Sequence, residues 1–164
     1  MDTIKCQNNC CTLNIFPYDD TNDNTQHKTK HKKAGVILHN VYEDRILMIQ
    51  SRGNLWGFPK GSFELGETFK DCAIRECFEE TGIKIDKHTL NTFYKVNEDV
   101  CYYYVIYNEN FKVNVEQNNY NDASGIGWIK IDCLTQIITQ NNTFNINFHA
   151  KKCLLKFFKK NFLK

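Results

Sequence analysis

Nowhere does this chain string together the roughly 18 consecutive apolar residues that a membrane-spanning helix needs, so it is read as a protein with no membrane contact. Its first residues are polar, and no secretory leader is expected there. Cysteine is plentiful at eight residues, yet no two stand in a C-x-x-C pair. Cys72, Cys77, Cys101 and Cys153 fall inside apolar-periodic segments, where free thiols bury as small hydrophobes. A reducing, intracellular setting follows, with the cytoplasm as the expected location. No internal repeat is present. The formal net charge of +2 selects no class of partner, but its distribution is uneven: the last sixteen residues hold six lysines and no acid.

At 164 residues, 41% of them hydrophobic, the chain supports one globular domain with a sizeable core. Residues 1–33 lack sustained periodicity and are read as a flexible N-terminal arm, leaving 34–164 as the folded domain. The arm contains Cys6, Cys10 and Cys11, then His27 and His31, a loose approach to a two-cysteine, two-histidine zinc finger. Fifteen residues separate Cys11 from His27 where about 12 are usual, so no finger is expected. Strand-like runs follow at 34–40 and 45–51 around a polar turn, then at 90–96, 100–107 and 126–131. In the fourth run, Tyr102, Tyr104 and Ile106 share a face and are read as sheet packing. Asp132 is placed to cap a short helix through Thr139, and a last helix runs from about His149 to Phe162. Strands around one central helix, with helices at the end, predict an α+β sandwich.

Residues 61–83 read GSFELGETFKDCAIRECFEETGI. They fit G-x5-E-x7-R-E-U-x-E-E-x-G-U, with U a bulky apolar residue. Gly61, Glu67, Arg75, Glu76, Glu79, Glu80, Gly82 and Ile83 hold the fixed places, and Cys77 stands at the first U. At about 100° per residue, Glu76, Glu79 and Glu80 share one face of a helix. Three carboxylates on one turn repel each other until a cation or protonation relieves them. An all-oxygen donor set favours hard cations such as Mg²⁺. Arg75, four residues before Glu79, is placed to orient it. Thr68 and Asp71 mark a helix start, Phe69, Ala73, Ile74 and Cys77 suit a packed face, and Gly82 supplies the stop. Ahead of the helix, glycines in 61–66 let backbone groups approach a metal or phosphate.

This pattern resembles the Nudix box, the signature of a family of metal-dependent pyrophosphohydrolases. The resemblance implies an α/β/α sandwich with a mixed sheet, a central box helix and a C-terminal amphipathic helix. It further implies Mg²⁺ or Mn²⁺ held by Glu76, Glu79 and Glu80 with the Gly61 carbonyl, and catalytic roles for Arg75 and Glu79. Arg52 and Lys60 would meet charge on the phosphates.

Two flanking segments narrow the resemblance. WGFPKG at 56–61 and CAIRE at 72–76 are similar to the catalytic domain of eukaryotic mRNA-decapping enzymes, with Trp56 and Lys60 as substrate-binding candidates. Those domains carry E-I-x-x-I-x-W, whose glutamate is the general base. Here Asp122 stands in its place, six residues before Trp128, one methylene shorter. Asp122 and Glu79 are both candidates for the base. The resemblance assigns RNA contact to the last helix, where Lys152, Lys156, Lys159 and Lys160 fall on one stripe. Decapping enzymes carry a helical regulatory domain where this chain has about 33 residues, so a protein activator is an expected partner beside capped RNA. Compact viral decapping Nudix proteins offer a looser parallel.

Two other readings stay open. One is a Nudix enzyme of small substrates, such as dinucleoside polyphosphates or diphosphoinositol phosphates; the other is a noncatalytic RNA-binding module. ADP-ribose enzymes usually have a proline about sixteen residues after the box, and the only prolines here are Pro17 and Pro59. Retired Nudix domains tend to lose box glutamates, and here all are present.

Overall fold

The computed structural model describes residues 2–16, 31–51, 54–107, 123–139 and 145–161, with side chains omitted at 160 and 161. Alternating apolar residues build the centre of the sheet. In β3 (Lys33–Asn40), Val36 and Leu38 face one side while Ile37 faces the other, all fully buried. The pattern repeats in β4 (Arg45–Ser51), with Leu47 and Ile49 against Ile46 and Met48. Two short strands follow, β5 (Leu55–Gly57) and β6 (Lys60–Ser62), then helix α1 (Phe69–Thr81). After it come a 3-10 turn (Lys87–Thr89), β7 (Thr92–Lys95), β8 (Val100–Ile106) and β9 (Gly125–Lys130). Helices α2 (Ile131–Thr139) and α3 (Phe148–Asn161) complete the described elements.

β3 and β8 run parallel over seven register pairs, from Lys33↔Val100 to His39↔Ile106, and the other strand pairs are antiparallel. The sheet is therefore mixed. Helix α1 covers one face, over a core of Ala34, Val36, Leu38, Leu47, Ile49, Ala73, Cys77 and Ile83. Helices α2 and α3 cover the other, where Leu134, Leu154 and Phe157 meet Ile37, Met48, Phe58 and Tyr102. This is the expected α/β/α sandwich. Phe58 meets Tyr102 edge-on at 5.3 Å, and Tyr104 lies 5.5 Å from Phe157.

One feature of the sheet places the site. β3 and β4 share only two register pairs, His39↔Ile46 and Asn40↔Arg45. Beyond them the strands diverge. The start of β3 pairs with β6, the end of β4 pairs with β5, and the β5–β6 segment fills the wedge between. Within it the Pro59 carbonyl accepts the Val36 amide at 3.0 Å. Helix α1 begins where a capping box dictates: the Thr68 hydroxyl accepts the Asp71 amide, and the Asp71 carboxylate accepts the Thr68 amide. It ends at Gly82, whose φ of 72° is left-handed and favours a residue without a Cβ.

The N-terminal segment corrects the sequence reading. Residues Asp2–Lys5 (β1) and Thr12–Ile15 (β2) form a hairpin, and β2 joins β9 through Asn14↔Ile126 and Ile15↔Gly125. Two four-residue strands are too short for a period-2 signal to rise above polar surroundings. What holds them is tertiary: Leu13, Cys6 and Cys11 enter the core. Residues 17–30 lie outside the described part, as does His27.

Helix α3 is docked by Phe157, which is 2% exposed, whereas Phe148 on its first turn is 72% exposed. Phe157→Ala should cost about 3–5 kcal/mol of unfolding free energy, and Phe148→Ala less than about 1. Urea denaturation followed by circular dichroism measures both. Equal losses would contradict this docking.

Candidate active site

Arg75 organises the site. Its Nε and Nη2 grip the Glu67 carboxylate at 2.7 and 3.0 Å, a bidentate pair, and Nη2 also donates to the Ser62 carbonyl at 2.9 Å. Nη1 reaches Glu76 at 2.8 Å and Glu79 at 2.9 Å. One guanidinium thus ties the loop before α1 to two glutamates of the helix. Glu67 in turn accepts the Glu64 amide at 2.8 Å, closing the loop on itself. The Glu67 hydrogen bonds hold the Arg75 guanidinium above its ordinary value, and Arg75 pulls the Glu67 carboxyl below its own.

The three glutamates differ in setting. Glu76 is 13% exposed at the side chain and Glu79 46% exposed. Glu80 is 6% exposed and accepts the Lys60 amide at 2.7 Å, which joins the helix to β6. Gly61 follows immediately. A Cβ there would lie 2.0–2.1 Å from the Glu76 carboxylate, so the absence of a side chain lets that group approach the β6 backbone. Carboxylates crowded on one turn beside a bare peptide form an oxygen-only cradle, which fits a hard divalent ion. Glu76, Glu79, Glu80 and the Gly61 carbonyl are the residues that would hold it.

A basic group adjoins these carboxylates. Burial, then repulsion from Lys33, pushes the Lys60 ammonium below its ordinary value, while Glu80 and Glu76 pull it back. His149, at the start of α3, is pushed down by burial and then by Lys60, Lys33 and Lys152. Positive charge therefore runs from β6 onto α3, where Lys152, Lys156 and Lys159 are exposed. Lys152 lies over the Phe148 ring, 5.8 Å from its centroid, and Lys156 donates to the Lys95 carbonyl.

The structure thus brings Glu76, Glu79, Glu80, Arg75, Gly61 and Lys60 together. It does not offer Trp56 to a ligand: the indole is 2% exposed in the core on the α2–α3 side, bracketed by backbone bonds from 56 to Asn145 and Asn147. The large apolar side chain that invites stacking is also what burial selects. Arg52, Asp122 and the Lys160 side chain lie outside the described residues. Sequence reasoning placed Glu67 in the pattern without a role, and its spacing of eight from Arg75 gave no helical signal. It also passed over Lys33 and His149, which only the fold brings to Lys60.

Residues 29–151 match the NUDIX domain, and the chain belongs to the Nudix family of hydrolases. It is 29% identical over 137 residues to the putative hydrolase 111R of Invertebrate iridescent virus 3, covering 81% of this chain and 80% of that one. It is 32% identical over 115 residues to the m7GpppN-mRNA hydrolase dcap-2 of Caenorhabditis elegans, spanning 66% of this chain but 15% of that enzyme. Among solved structures, a C. elegans Ap4A hydrolase binary complex superposes with a TM-score of 0.55 at 23% identity, over 77% of this chain and 95% of the other. That likeness is one of fold. Enzymes of the family generally use Mg²⁺ or Mn²⁺, in keeping with the oxygen-only donors here. Among the described residues no helix is long and apolar enough to cross a membrane.

Two outcomes test this geometry. Gly61→Ala displaces the Glu76 carboxylate from its place beside Arg75 rather than any backbone atom, so the stability loss should stay modest while metal-dependent hydrolysis falls more than about 10-fold; thermal melts and turnover measure the pair. The Glu67 carboxyl is held below the ordinary glutamate value of 4.5, so its stabilisation is full above pH 4.5 and lost as pH falls through the lower folded value. Wild type should therefore outlast Glu67→Gln by a constant margin at neutral pH, and that margin should shrink below pH 4.5. Urea midpoints across pH measure it.

Proposed function

We propose that this protein is an mRNA-decapping hydrolase acting in the cytoplasm. Water attacks a phosphorus of the 5′ cap, a P–O bond of the pyrophosphate linkage breaks, and 7-methyl-GDP leaves a 5′-monophosphate RNA. The observation that carries this reading is the set of lysines that leads away from the carboxylate cradle: Lys60 and Lys33 both act on His149 at the start of α3, as does Lys152, and Lys152, Lys156 and Lys159 are exposed along that helix. A small nucleotide needs the cradle alone; a polynucleotide profits from a basic track leading away from it. The similarity to an mRNA hydrolase of C. elegans supports the same substrate class.

A bound divalent ion neutralises phosphate charge and makes its water acidic. The chain's own residues do the positioning. Arg75 fixes Glu76 and Glu79 in one orientation, and Glu80 is braced by the Lys60 amide. Lys60 supplies positive charge beside the phosphates. Of the two α1 glutamates on Arg75, Glu79 is the more open, with one oxygen engaged there. It is therefore placed to take a proton from water; Asp122 is the second candidate for this step. A protein activator is part of this proposal.

The second reading, a hydrolase of dinucleoside polyphosphates, is favoured by the fold shared with an Ap4A hydrolase. RNA carrying a labelled cap separates them. With Mg²⁺ or Mn²⁺, wild type should release 7-methyl-GDP and Glu79→Gln should not. Turnover confined to diadenosine tetraphosphate would overturn decapping. Asp122→Asn with near-normal kcat would leave the base to Glu79. Replacing Lys152, Lys156, Lys159 and Lys160 by Gln should weaken RNA binding and flatten its salt dependence, by roughly 0.7 in slope for each phosphate that is no longer neutralised.

A further inference from the structure

On the face of the sheet opposite α1, three cysteines of the N-terminal hairpin meet a fourth that is more than a hundred residues away in sequence. Cys6 directly follows β1, Cys10 and Cys11 lead into β2, and Cys133 lies in the first turn of α2. Cys6, Cys11 and Cys133 are buried. We propose that Cys6, Cys10, Cys11 and Cys133 form a structural zinc site that fastens the hairpin to the end of β9 and to α2.

The distances carry the assignment. Sγ–Sγ separations are 3.6 Å for Cys6–Cys10, 3.6 Å for Cys10–Cys11, 3.3 Å for Cys10–Cys133, 3.8 Å for Cys11–Cys133 and 3.7 Å for Cys6–Cys133. All four sulfurs lie within 4.8 Å of one another. A tetrahedron with Zn–S bonds of about 2.3 Å has sulfur–sulfur edges of about 3.8 Å. Four of these five edges lie within about 0.2 Å of that value, and Cys10–Cys133 is shorter. A disulfide would instead single out one pair at about 2.05 Å, and no pair here stands apart from the rest.

The surroundings suit thiolates. The Cys11 amide donates to the Cys6 sulfur at 3.3 Å, the Lys130 amide to the Cys11 sulfur at 3.3 Å, and the Asn8 side chain to the Cys133 sulfur at 3.8 Å. Cys133 also sits at the positive end of α2. The turn itself is shaped for the purpose. The Asn9 amide bonds the Cys6 carbonyl, the Cys6 amide bonds the Cys11 carbonyl, and Asn9 takes a left-handed φ of 55°. Arg45 on β4 holds the Cys10 carbonyl at 3.3 Å. Four sulfurs close the coordination shell, which makes the site structural rather than catalytic. Soft thiolates take zinc, while the oxygen cradle on α1 takes hard ions, so the two sites select different metals.

The cysteine–histidine spacing of the sequence, which argues against a zinc finger, does not bear on this site. The fourth ligand proposed here is Cys133 rather than a histidine at 27 or 31. A gain follows for the fold: β2 meets β9 through two register pairs, a thin seam for an edge hairpin, and a metal crosslink reinforces it.

The test is metal analysis of the full chain, expressed with zinc, kept reduced and desalted from chelator-free buffer. Near one zinc per chain is expected in wild type and in Glu79→Gln, and near zero in Cys133→Ser. Cobalt(II) reconstitution of wild type should give the intense thiolate charge-transfer and visible bands of a tetrahedral sulfur site, a readout that needs no variant to fold. Zinc-loaded wild type should melt above Cys133→Ser, while Cys133→Ser retains metal-dependent hydrolysis below its melting temperature. Folded, reduced wild type that carries no zinc and gives no cobalt–thiolate bands would overturn the site. So would zinc that is lost in Glu79→Gln but kept in Cys133→Ser, or fewer than eight titratable thiols in zinc-free denatured protein, which would point to disulfide pairing instead.

Discussion

The grip of Arg75 on Glu67 is the contact from which the site's order derives. Left alone, the glutamates of α1 would spread apart, since like charges on one helical turn repel. Arg75 reverses that tendency by sharing one nitrogen between Glu76 and Glu79 while its other side is locked on Glu67 and the Ser62 carbonyl. A guanidinium suits this better than an ammonium would, because its planar fork meets one carboxylate bidentately and still presents a nitrogen to others. The cradle is therefore held in register before any ion arrives, and that preorganisation is what electrostatic catalysis draws on.

The second constraint is topological. Strand β6 lies between β3 and helix α1, so the peptide at Gly61 is fixed from both sides. Helix α3 crosses the opposite face and carries His149 to within electrostatic reach of Lys60. The acidic side chains thus come from α1, the lysines nearest them from β3 and β6, and the exposed lysines from α3 in the opposite layer.

Much of this was legible in the sequence because it is local. The capping box of α1, its glycine stop and the shared face of the glutamates all follow from spacings of three and four residues. The strands at 33–40, 45–51 and 100–106 announce themselves as short, nearly continuous apolar runs, the mark of strands buried on both faces. What escaped is what distance along the chain conceals. Cys133 reaches Cys10 across 123 residues, and no periodicity connects them. Trp56 misled because a large aromatic beside a functional motif serves packing and stacking with the same side chain. The β1–β2 hairpin is stabilised by partners on β9, and its own eight strand residues hold too little pattern to declare it.

The fork between β3 and β4 has a further implication for how such a chain can diversify. Because β5 and β6 each borrow a different parent strand, adding or deleting a residue between 55 and 62 would shift one register against the other and displace Gly61 from Glu76. Length variation is therefore shut out of this segment, whatever the substrate. New specificities must arise by exchange of side chains around a backbone that stays the same, and the first turns of α3 are the surface nearest to hand.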